Sequence, residues 1–155
     1  PLLAHKARRD GIVAAETICG RPARRDQTTV PAVIFSDPEI ATCGMSEPEA
    51  IAAGRDIKIG RFPFAALGRA VTQRAADGIV KLIADRTTEQ VLGVGIVGPS
   101  ASELIAEATL AVELGAKVED LMHTIHAHPT LAEALPEAAE LVRGTSIHIY
   151  KKTRT

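Results

Sequence analysis

The chain has 155 residues, 46% of them hydrophobic and 24% charged, a balance that suits one domain with a hydrophobic core and excludes a disordered tail. Lys and Arg number 18 against 19 Asp and Glu, a formal charge of −1, so no basic excess points to a nucleic-acid partner. No apolar run approaches the roughly 18 residues of a membrane span, and with three Phe, one Tyr and no Trp the core must be built from Ala, Val, Ile and Leu.

Residues 3–19 are Ala-rich and helical in character, with Gly20 and Pro22 as a stop signal. Residues 21–30 are polar and basic, and Arg21, Arg24 and Arg25 cluster there in a Pro-containing stretch that reads as a solvated connector. This connector is the one boundary in the sequence, dividing a leading segment, 1–29, from a compact domain, 30–155. No signal peptide precedes the first helix. A chain that starts at Pro1 and enters a helix almost at once reads as a piece of something longer. Cys19 and Cys43 lack C-x-x-C or similar spacing, which suggests two buried, reduced thiols in a cytoplasmic protein.

Ala32 to Phe35 reads as a short strand, Asp37-Pro38 as a turn, and Ile40 to Met45 as a second strand. Ser46 and Glu49 form a capping box for a short helix that tolerates Pro48 in its first turn and ends at Gly54. Ile57, Ile59, Phe62 and Phe64 suggest a strand whose alternation slips near Arg61. Asp77-Gly78 is a turn, and Ile79 to Ala84 with Val91 to Val97 make a hairpin around the polar Asp85–Gln90 segment. A second capping box, Ser100 and Glu103, precedes a helix with Leu104, Ile105, Ala108, Ala111 and Val112 on one face, closed by Gly115. Val118 to Met122 adds a short helix, and Thr130 to Val142 a final helical stretch. A block of strands followed by helices gives an α+β class with a mostly antiparallel sheet.

Gly93, Gly95 and Gly98 fit the G-x-G-x-x-G dinucleotide fingerprint. The context argues against it: Ile96 and Val97 prolong the strand pattern, and Pro99 precedes a separately capped helix. The glycines read better as places where another backbone comes close to a buried strand.

His123, His126 and His128 fall within six residues, but a metal site needs three or four convergent ligands, and no Cys or acid lies nearby as an obvious fourth; no metal is expected. Proton transfer is the other chemistry, since imidazole titrates near neutrality and can take a proton from a thiol. A carboxylate on one ring nitrogen fixes the tautomer and stabilises the imidazolium. Glu133 can be that carboxylate if the chain turns at Pro129. It can equally close a capping box with Thr130, although Pro136 would then fall inside the helix and remove a backbone hydrogen bond. Both readings stand on spacing alone. His5 and His148 gain no role from their surroundings in sequence.

The run His126-Ala127-His128-Pro129-Thr130-Leu131-Ala132-Glu133 resembles the C-terminal domain of the flavin disulfide reductases. Val33 to Gly44, the Gly93–Ala101 junction and Leu3 to Gly11 match in the same order, so the resemblance covers nearly the whole chain. It implies an α+β dimerisation domain, a cis His128–Pro129 bond, and His128 as general acid/base for dithiol–disulfide exchange, oriented by Glu133. It further implies a homodimer in which this His serves the partner subunit's active site. Leu3, Ala4 and His5 match the segment that lies against the flavin of FAD, and residues 1–29 become the tail of the preceding FAD domain. The Leu131-Ala132 context is most similar to the branch that oxidises a protein-bound dihydrolipoyl group. That branch implies FAD and NAD in the full-length enzyme and the lipoyl domain of a 2-oxoacid dehydrogenase-type complex as partner. Glutathione or mercuric reductase-like relatives and a non-catalytic dimerisation module are the alternatives. The ending Lys151-Lys152-Thr153-Arg154-Thr155 lacks the extra cysteine of the mercuric and thioredoxin reductase-like members. The family's FAD-binding glycine loop, nicotinamide domain and redox cysteine pair have no counterpart here. The chain alone is therefore expected to bind neither cofactor and to be inactive.

Overall fold

The computed structural model describes residues 2–24 and 27–149; Arg25 of the basic cluster and the 151–155 ending lie outside them. Helix α1 (Ala4–Ile18) comes first, then strands β1 (Ala32–Ile34) and β2 (Glu39–Gly44), helix α2 (Glu47–Ala52) and strand β3 (Ile57–Pro63). A single 3-10 turn at Phe64–Ala66 leads to α3 (Gly68–Thr72), β4 (Ile79–Asp85) and β5 (Val91–Gly98). Helices α4 (Ala101–Glu113), α5 (Val118–His123) and α6 (Ala134–Arg143) complete the described chain. The strands form one sheet in the order β1-β2-β5-β4-β3, every neighbouring pair antiparallel. The α+β expectation holds, with α4 against β2 and β5, and α6 against β3 and β4.

The slip in the β3 pattern has a packing cause. Gly60 and Phe62 face the main core, whereas Ile57 and Ile59 pack from the opposite parity onto a small second cluster of Ala50, Ile83 and Leu92 under α2. A strand covered on both faces loses strict apolar/polar alternation. Leu92 reaches that cluster through the register shift between β4 and β5, the extra residue of a bulge. Gly60 has no side chain for a steric reason: a Cβ there would stand 1.8 Å from the Ala138 carbonyl oxygen. Its absence lets the α6 backbone lie directly on β3, and α6 carries the end of the candidate site.

The capping box at Ser46 forms as expected, with Glu49 Oε2 accepting from the Ser46 N–H at 2.8 Å. The one at Ser100 does not. Ser100 sits in the left-handed region (φ 57°) and makes no side-chain cap; the α4 terminus is satisfied by Glu39 of β2, which accepts from the Ser102 N–H at 2.9 Å. That bond and the Ser102 hydroxyl hold the Glu39 carboxyl below the usual carboxylate range. The Gly-x-Gly-x-x-Gly stretch runs straight through β5. A Cβ on Gly93 would meet the Met45 carbonyl oxygen at 2.0 Å, so close backbone approach accounts for that glycine, while Gly95 has only the Thr42 methyl at 3.9 Å. The expectation of two buried cysteines needs correction: Cys43 is buried, but Cys19 is exposed, and both are free. Cys19 follows α1, a helix that buries none of its residues, so it has no core to enter.

Candidate active site

The segment between α5 and α6 turns at a cis His128–Pro129 bond, as the resemblance implies. Glu133 ends it as the residue just before α6. The helix therefore starts later than Thr130, and Pro136 falls in its first turn, where a missing N–H costs nothing. The Glu133 carboxylate does both things that its spacing allowed. Oε1 accepts from His128 Nδ1 at 2.8 Å, and Oε2 accepts from the Thr130 N–H at 2.8 Å. The Thr130 hydroxyl donates to the Ala127 carbonyl at 2.7 Å, closing the loop on itself.

An ionised carboxylate only accepts, so His128 carries a proton on Nδ1, the tautomer whose neutral form has its lone pair on Nε2. The His128 side chain is 77% exposed and that of Glu133 only 21%. The ring thus stands out from the domain on a carboxylate that is largely covered. Burial alone would push the Glu133 carboxyl up. The Thr130 N–H, the His128 hydrogen bond, and the nearby charges of His128 and His148 together outweigh it and hold the group below the usual carboxylate range. The arrangement can accept a proton at Nε2 and stabilise the resulting imidazolium from the other side.

Two further His–carboxylate pairs were missed by reading the sequence. His126, its side chain 9% exposed, lies with Nε2 2.7 Å from Glu107 Oε1 on α4 and Nδ1 2.9 Å from the Thr124 carbonyl. His148 Nδ1 lies 2.5 Å from Glu137 Oε1, and the Ser146 hydroxyl donates to Oε2 of the same residue at 3.0 Å. Neither pair has a spacing that reads as a motif: Glu107 stands 19 residues before His126 and Glu137 11 before His148. Among the described residues no three His, Cys, Asp or Glu side chains gather as a metal-binding group; His126 and His128 turn to different carboxylates.

At the other end of the chain, Leu3 precedes α1 in extended conformation (φ −121°, ψ 138°), with no side-chain cap and no acid in the first turn. The N–H groups of Ala4 and His5 head a helix whose positive end is left uncapped. The His5 ring donates to the Pro31 carbonyl at 2.8 Å, tying α1 to the segment before β1.

Residues 30–139 match the family model of the pyridine nucleotide-disulphide oxidoreductase dimerisation domain. The chain belongs to this family. Its relatives include the dihydrolipoyl dehydrogenase of Haloferax volcanii, 54% identical over 148 residues that make up 96% of this chain and 31% of the relative. That of Thermus scotoductus is 53% identical over 152 residues, 98% of this chain and 33% of the relative. Among solved structures, the HOCl-induced flavoprotein disulfide reductase RclA from Escherichia coli shares the fold with a TM-score of 0.81 at 28% identity, over 86% of this chain and 31% of that one. LpdA from Mycobacterium tuberculosis gives 0.74 at 31% identity, over 82% and 28%. The chain thus spans about a third of the length of the curated relatives it matches. No described helix of this dimerisation domain is long and apolar enough to cross a membrane.

Proposed function

We propose that this chain is the interface domain of a flavin- and NAD-dependent dihydrolipoyl dehydrogenase, with His128 and Glu133 as the acid/base pair of its dithiol–disulfide exchange. The observation that carries the reading is the 2.8 Å bond from Glu133 Oε1 to Nδ1 of an imidazole that is otherwise exposed. A dihydrolipoyl thiol placed at Nε2 gives its proton to the ring, and the resulting thiolate attacks one sulfur of a disulfide supplied by the rest of the parent protein. The S–S bond breaks, a cysteine thiolate leaves, and a mixed disulfide forms. The second lipoyl thiol then attacks the lipoyl sulfur of the mixed disulfide and closes the lipoyl ring, and its proton passes to the second cysteine sulfur as that sulfur leaves. Glu133 holds the ring in the right tautomer throughout and offsets its charge while the proton resides there.

Bound FAD supplies the electron sink for the reduced cysteine pair and NAD⁺ the final acceptor. Leu3, Ala4 and His5 fit a place against the flavin, because an uncapped helix start offers N–H groups to an electron-rich edge. Helix α1 buries none of its residues and exposes Ile12 and Ile18, which supports assigning residues 1–29 to the preceding FAD domain and 30–155 to the interface domain. Leu110 on α4 and Leu114, the residue that follows it, are also exposed, as expected of a face covered by a second copy in a homodimer. A lipoyl domain of a 2-oxoacid dehydrogenase-type complex would present the substrate, and two free thiols accord with a reducing, cytoplasmic setting.

Complementation tests this. Two inactive full-length parents, one carrying His128→Gln and the other lacking its redox cysteines, are expected to regain lipoamide activity when mixed dimers form, because each mixed dimer assembles one complete site. No recovery in verified mixed dimers would mean that His128 does not act across the interface.

A further inference from the structure

We propose that His126, held by Glu107, is a positioning residue for His128; the inference rests on the acid/base reading above and extends it. The two histidines are two residues apart and point in opposite senses, His128 outward at 77% side-chain exposure and His126 inward at 9%. Both partners of the His126 ring are oxygens: a carbonyl that can only accept, and a carboxylate. With Nδ1 donating to Thr124, the proton of the second contact must lie between Nε2 and Glu107, so the ring is gripped from both sides and cannot turn.

Glu107 is a firm anchor. It sits on α4 between the buried Ile105 and Ala108, on a helix packed against β2 and β5. Together with Leu104 it forms one wall of a narrow cleft whose other wall is Leu131, Ala132, Ala134 and Leu135, the residues that flank Glu133. The bonds beyond His126 run in series. The Ala127 carbonyl accepts from the Thr130 hydroxyl, Glu133 Oε2 accepts from the Thr130 N–H, and Glu133 Oε1 accepts from His128 Nδ1. Among the described residues, the His126–Glu107 bond is the one side-chain hydrogen bond that carries residues 124–130 to an element other than the helices they join. Releasing it frees the Ala127 carbonyl, and through Thr130 the whole acid/base pair, to shift relative to the sheet. Proton transfer depends steeply on such placement: a misplacement of about 1 Å can cost roughly a hundredfold in rate.

The test uses the full-length flavoenzyme and two rates: reduction of its flavin by a dithiol, and NADH-dependent reduction of an artificial electron acceptor, which involves no thiol proton. His126→Gln is expected to slow the dithiol reaction about tenfold or more while the acceptor reaction holds. Added to His128→Gln it should cost nothing further, since two residues acting through one ring are not additive. Glu107→Gln, whose amide oxygen can still accept, should keep most of the rate that Glu107→Ala loses; this pair carries the test if His126→Gln does not fold. A full dithiol rate in His126→Gln or Glu107→Ala, a parallel fall of the acceptor reaction, or a loss that adds in full to that of His128→Gln would each overturn the proposal. A full rate in His128→Gln would instead refute the reading of the site on which it rests.

Discussion

Replacing Glu133 by Gln keeps the size of the side chain and inverts the chemistry of its partner. Two donors converge on the carboxylate, His128 Nδ1 and the Thr130 N–H, each at 2.8 Å. A carboxamide has one acceptor oxygen for the pair. If that oxygen stays on the Thr130 N–H, the amide NH₂ faces Nδ1, and the ring must accept there and carry its proton on Nε2. The nitrogen that should take the thiol proton is then blocked. A hydrogen bond to a charged group is worth about 1.5–3 kcal/mol, and the 77% exposure of the His128 side chain argues for the lower half of that range. Since 1.4 kcal/mol is tenfold, dithiol-driven flavin reduction in the full-length enzyme should slow by about 10- to 40-fold. NADH-dependent reduction of an artificial acceptor should not change. A Glu133→Gln enzyme that oxidises dithiol at the full rate at neutral pH would refute the tautomer argument.

Further expectations concern the scaffold, read by thermal or urea unfolding of the chain. Gly60→Ala should destabilise by about 3 kcal/mol or more, because its Cβ would strike the Ala138 carbonyl. Gly95→Ala, with only the Thr42 methyl near it, should behave as an ordinary substitution, and comparable losses at both would contradict this packing. Glu39→Ala should lower the melting temperature while Ser100→Ala does not, since Glu39 and not Ser100 caps α4; the reverse order would sink the assignment. Glu140 is raised by burial, then by the charge of Glu137, so its ionisation disfavours the fold and stability is lost as pH rises. Glu140→Gln should therefore raise the melting temperature near pH 7, with the gain vanishing below about pH 4, where Glu140 is protonated in both states. A gain that persists at low pH would show a different cause.

Features whose partners lie close in sequence were legible. The Ser46–Glu49 box, the β4–β5 hairpin, the buried stripe of α4 and the His128–Glu133 pair all link residues within a few turns or one loop. What the spacing left open at Glu133 was resolved only in three dimensions, because a carboxylate has two oxygens and can serve both partners. Failures arose where a distant group took over a local role. Ser100 is not a cap because Glu39, distant in sequence but the first residue of β2 and paired with Gly98, already occupies that helix start. His126 finds Glu107 on another helix, and His148 finds Glu137 across the turn after α6; no local pattern marks either. The general habit of free cysteines puts Cys19 inside, but it cannot operate after a helix with no buried face. The β3 slip signalled a strand packed on both sides.

Whether His128 moves the thiol proton is read from stopped-flow reduction of the flavin by dihydrolipoamide in the full-length enzyme, wild type against His128→Gln. The expected loss is about 10²- to 10⁴-fold, the usual contribution of a positioned acid/base group, with flavin content and dimerisation retained. Flavin reduction at the wild-type rate in that variant would contradict that role.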